Sequence, residues 1–255
     1  MPGRDTTKIL ANIPTSIGAK THCSMPNTAT WERALCEYKY KVLFNRFGNL
    51  PDQPPDLYPG NKEQTKDFEK RFRDRAPYHL DAWAEVVFWK LYSRNSGIAE
   101  KQAQKILANK CVSAEDLWTS CEAYTQNPTR DTFSTFRKKL FSTPVVATAA
   151  TFPAFMSPET FPMLDKQVTT WACWHGDLHQ YSSINGPDLK CVPDLASGTL
   201  RESHWPFIES WVAWCQFTAK ILSQSSGCEW RARDVEMAVF TVQRSKGRLC
   251  LKPLY

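Results

Sequence analysis

Four side chains able to hold a metal fall close together in this chain: Cys173, His175, Asp177 and His179. Gly176 interrupts them and their spacing matches no zinc pattern, so a polar helix end is the plainer reading. The nine cysteines contain no C-x-x-C and no four-cysteine cluster of iron–sulfur spacing. The expectation is therefore no metal and no cofactor. Two basic runs offer a different chemistry. Arg130, Arg137, Lys138 and Lys139 are opposed only by Asp131, and Arg231, Arg233, Arg244, Lys246, Arg248 and Lys252 enrich the last part of the chain. Such groups supply most non-specific affinity for nucleic-acid phosphates, although surface charge of this kind is also ordinary. The 32 basic and 26 acidic residues give a net charge of +6, a mild bias toward polyanions. The 10 glycines form neither G-x-G-x-x-G nor a P-loop, which argues against a nucleotide cofactor.

These residues must be positioned by helices. Apolar side chains recur at helical spacing almost throughout, which predicts an all-α fold. Trp31, Leu35, Tyr38 and Val42 mark one face of a first helix. Helical patterns follow over residues 62–75, 80–94, 100–109, 114–123 and 132–141. The second of these carries a wide apolar stripe of Leu80, Trp83, Ala84, Val87, Phe88 and Leu91, and Asn95-Ser96-Gly97 should end it. Residues 147–155 read as a buried helix that Pro153 must bend or shorten. Residues 166–174, 207–224 and 231–244 are the last helical patterns, with a long loop over 185–206. Asp165 stands where an N-cap of the 166–174 helix belongs. Residues 1–29 read as a mobile arm, and the proline-rich 50–60 segment as a linker. The expected organisation is one two-lobed domain over residues 30–255. Residues 80–175 would form the central lobe, and 30–79 with 176–255 the second. No run of 18 apolar residues or signal-type segment appears. The reading is a nuclear or cytoplasmic chain with reduced thiols, no membrane partner and no predicted oligomeric state.

The stretch FSTPVVATAATFPAFMSPETFPMLDKQVTTW over residues 141–171 resembles the helix-hairpin-helix and Gly/Pro-Asp signature of base-excision DNA glycosylases. Thr148-Ala149 falls on the Thr-Ala of that family's hairpin, and Phe161-Pro162-Met163-Leu164-Asp165 on its FPxxD, without a gap. The likeness covers residues 80–175, and loosely WRARDVEMAVFTVQR over 230–244. It implies a two-lobed helical fold that binds double-stranded DNA and hydrolyses the N-glycosidic bond of a damaged or mismatched base. It implies that Asp165 stabilises the oxocarbenium-like cation and orients or deprotonates water. Glu85, in a Glu85-Val86 pair like that of adenine-removing members, would be a general acid. Thr143, Val145, Val146 and Thr148 of the hairpin, with Arg137, Lys138 and Lys139, would bind DNA. Trp83, Trp89, Trp171 and Trp174 are candidates for stacking on an extruded base.

The departures carry information too. The hairpin is Thr143-Pro144-Val145 where the family has Gly-Val-Gly, and Pro144 has no N–H for a phosphate. Ala147 stands where lyase-type members present a lysine, so no Schiff base is expected there. The leading expectation is a glycosylase without lyase activity. The rival is a catalytically inactive relative that binds DNA or protein through the same lobes.

Overall fold

The computed structural model describes residues 27–43, 60–93, 96–140, 145–175, 181, 185–191, 195 and 199–254. Among them there are eleven α-helices and no strand. They are α1 (Ala29–Cys36), α2 (Lys62–Arg75), α3 (Leu80–Tyr92), α4 (Ser96–Leu107), α5 (Ala114–Gln126) and α6 (Arg130–Leu140), then α7 (Val146–Ala149), α8 (Thr151–Met156), α9 (Lys166–Trp174), α10 (Trp205–Ser226) and α11 (Ala232–Arg244). The all-α expectation holds for these residues.

Local chemistry sets several boundaries. Asn61 starts α2 through a reciprocal capping box with Gln64, at 2.9 and 3.3 Å. Ser113 and Asp116 do the same for α5. Gly227, at φ 69°, ends α10 in the left-handed conformation that spares a side chain its steric conflict.

Three expectations are corrected. The first helix stops at Cys36, and Tyr38 and Val42 are buried from the irregular segment beyond it. Tyr38 packs its ring on Phe240, 5.9 Å between centroids. Their helix-like spacing therefore reports burial without helix. Ser96 and Gly97, expected to break a helix, open α4 instead. The apolar 147–155 segment is two short helices with Ala150 at the joint. Pro153 lies in the first turn of α8, where a missing N–H costs no intrahelical bond.

Buried side chains from Trp31 to Leu254 form one hydrophobic cluster that draws on both proposed lobes. At one end Trp214 meets Trp31, Trp171 and Trp211 at 5.4–6.3 Å. At the other, Phe72, Trp83, Phe152 and Phe155 interlock. α11 lies between α1, α9 and α10 and is buried through most of its length.

Candidate functional site

The stretch between α8 and α9 has no regular structure, so its backbone groups need partners from elsewhere. Neighbouring helices provide them. The α11 start donates from Ala232 N to Glu159 O (3.1 Å) and from Arg233 N to Pro158 O (3.0 Å). Gln216 and Trp211 of α10 donate to Thr160 O (3.0 Å) and Met163 O (3.2 Å). Lys90 of α3 donates to Leu164 O at 3.2 Å. These contacts fix the approach to Asp165.

Asp165 is the N-cap of α9, with an extended backbone at φ −153°. Its Oδ1 accepts from Gln167 N (2.8 Å) and Val168 N (3.0 Å). Its Oδ2 lies 3.8 Å from Lys90 Nζ. The carboxylate therefore divides its oxygens, one on the helix end and one beside the amine. Both residues line a cavity of about 350 Å³, of a size that holds small ligands. Val145, Ala147 and Thr148, from the segment that the sequence resemblance aligns with a hairpin, line the same cavity. Tyr40 and Phe240 give it aromatic walls, 5.9 Å apart between centroids. Arg244 lies on the Phe240 ring, 5.2 Å from its centroid.

Burial drives the charges here. It pulls the Lys90 ammonium below the ordinary lysine range, while Asp165 and Glu236 act in the opposite direction. Glu236 is pushed up to about 7, chiefly by burial, against the pull of Arg233 and Lys90 and a hydrogen bond from the Met163 N–H. Behind it, Arg233 pairs with Glu236 and lies 3.4 Å from Glu69. Arg231 reaches Glu69 at 2.7 Å and Asp234 at 2.9 Å. This buried network holds the start of α11 against the backbone that leads to Asp165.

The other predicted residues are dispersed. Glu85 is 1% exposed, bound by Arg75 at 2.8 Å and close to Arg71 at 3.5 Å, and does not line the cavity. Burial is the main cause raising its pKa, against those two guanidiniums. Thr143 lies outside the described residues, as do Asp177 and His179. Val146 is buried, and the Thr148 N–H is engaged by Val145 O at 2.9 Å. Val145 is exposed. Arg137 pairs with Glu202 at 3.3 Å, Lys139 is half-buried and Lys138 is exposed. Trp83, Trp89 and Trp171 are core residues, and Trp174 alone of the four tryptophan candidates is exposed. Arg231 and Arg233 are a correction: they sit in the interior, not on a phosphate-facing surface. The residues that sequence reading missed are Lys90, Tyr40 and Phe240. A signal existed for Lys90, a cation amid the apolar run Val86-Val87-Phe88-Trp89 and Leu91.

Among the described residues no group of three or more His, Cys, Asp or Glu could hold a metal ion. None of their helices is long and apolar enough to cross a membrane. Comparison with family models, curated proteins and solved structures gives no match to this chain.

Proposed function

We propose that the protein is a DNA glycosylase-like hydrolase that removes a damaged or mismatched base from double-stranded DNA. The observation that supports it is the meeting of both parts of the 141–171 signature in one cavity: Asp165 of FPxxD and Val145, Ala147 and Thr148 of the hairpin motif. As the N-glycosidic bond stretches, positive charge grows on the sugar. Asp165 Oδ2, the oxygen not engaged by the α9 cap, stabilises that charge and orients water for attack. Tyr40 and Phe240 provide apolar ring surface for an extruded base, a role that the sequence had suggested for tryptophans. Lys166, Arg244 and Lys138 are exposed cations suited to backbone phosphates. Glu85 has no part in this scheme, because its carboxylate is held by arginines away from the cavity.

The test is incubation of the protein with duplexes carrying uracil, oxidised purines, alkylated purines and mismatches. Released base is read by mass spectrometry, and strand breaks with and without alkali. The expected result is free base from at least one duplex, with strand breaks only after alkali. DNA binding without base release from any duplex favours the binding-module alternative.

A further inference from the structure

We propose that a second cavity, lined by α5 and α10, binds a small hydroxyalkyl quaternary ammonium compound of choline's size. It goes beyond base excision and does not depend on it, because it shares no lining residue with the Asp165 cavity. Trp205, Ile208, Glu209 and Val212 recur on α10 at the spacing of one helix face, and that face lines a cavity of about 220 Å³. Tyr124 of α5 and Phe161, from the segment before α9, add to its walls. Three rings stand together here. The Tyr124 centroid lies 5.4 Å from that of Phe161 and 6.3 Å from that of Trp205.

Two polar groups interrupt these apolar walls. Tyr124 is 3% exposed, yet its hydroxyl has no hydrogen-bond partner among the described residues. A buried hydroxyl without a partner is a cost that a ligand relieves. Glu209 is exposed at the same cavity and has no ion-pair partner among the described residues. Burial is the main cause that raises the Tyr124 pKa, and Cys121 and the Glu209 charge add to it, which sets that carboxylate near the hydroxyl. Aromatic rings beside one carboxylate suit a cation with an apolar body. A primary ammonium brings three N–H donors that apolar walls leave unpaired. A quaternary ammonium has none and asks only for ring surface and a negative charge. A hydroxyl on the same molecule accepts from the Tyr124 O–H.

The experiment is isothermal titration of the full chain with choline and with dimethylbutanol, the neutral alcohol in which carbon replaces the charged nitrogen at the same shape. Choline should bind about tenfold or more tightly than the alcohol. Glu209→Gln, at an exposed position, should leave thermal unfolding unchanged and weaken choline about three- to tenfold without changing the alcohol. Tyr124→Phe keeps the ring and removes the hydroxyl, and should weaken choline but not tetramethylammonium. Equal affinity for choline and dimethylbutanol, or no binding of choline at millimolar concentration, overturns the proposal. So does binding that is lost in Asp165→Asn and kept in Glu209→Gln, which seats the cation in the other cavity. A trimethyllysine peptide bound more tightly than choline overturns the small-molecule assignment. All of these outcomes are read without DNA, so base excision stands or falls separately.

Discussion

Asp165 both caps α9 and faces the cavity, and two substitutions separate those roles. Asparagine keeps an Oδ1 acceptor for Gln167 N and Val168 N and is as good an N-cap as aspartate. Alanine loses the cap at a cost of about 1 kcal/mol. Neither keeps the negative charge. A carboxylate oxygen at ~4 Å from a developing cation, at an effective dielectric of ~20, stabilises it by ~4 kcal/mol. That corresponds to about a thousandfold in rate. Single-turnover base release should therefore fall about a thousandfold in both Asp165→Asn and Asp165→Ala, while thermal unfolding separates them. Asn should unfold close to wild type, and Ala a few degrees lower, since ~1 kcal/mol shifts Tm by ~2–4 °C in a chain of this size. One further effect is built into the site. Both variants remove the counter-charge 3.8 Å from Lys90 Nζ, so its pKa should fall further. DNA binding should survive or tighten, because a negative charge facing phosphates is gone. Unchanged base release in Asp165→Asn together with a loss of stability in Asp165→Ala would refute the argument and leave Asp165 as a cap alone.

Other outcomes follow from the same structure. Arg233→Met leaves Glu69 and Glu236 buried beside a missing partner, and should cost about 3–5 kcal/mol in urea unfolding. Lys138→Ala and Arg244→Ala should leave stability nearly intact and flatten the salt dependence of duplex binding; equal effects on binding and stability would place these cations in structural roles instead. Gly60, at φ +60°, accepts a hydrogen bond on its carbonyl from Tyr40 N at 3.1 Å, and a Cβ there meets the Tyr40 carbonyl. Gly60→Ala should destabilise by at least about 2 kcal/mol, against about 1 kcal/mol for Gly227→Ala, where a Cβ enters open space. A smaller loss at Gly60 than at Gly227 would contradict the close approach. Glu236 is pushed up to about 7, so the folded chain holds a proton there that the unfolded chain releases in the ordinary carboxylate range. Its contribution is fully present below that ordinary range and is lost as pH rises through about 7; unfolding at pH 5, 6 and 7.5 should show this decline, and Glu236→Gln should flatten it.

The sequence by itself determined the helical class and several helix limits, because those depend on neighbours in the chain. The 62–75 and 166–174 patterns coincide with α2 and α9, each begun by a capping side chain that contacts its own first turn. Periodicity failed where burial did not require helix, as at Tyr38 and Val42, and where a joint at Ala150 divided an apolar run. Asp165 was legible as a cap and, through the resemblance, as a candidate for chemistry. Its neighbour was not, since Lys90 comes from α3, 75 positions earlier, and meets it only when the 157–164 segment is tied to α10 and α11. The basic run at 231–244 illustrates the same limit. Arg231 and Arg233 turn inward to carboxylates and Arg244 turns out to the cavity. A charge pattern along one helix does not say which of its faces is covered; only the packing of α1, α9 and α10 around α11 decided that.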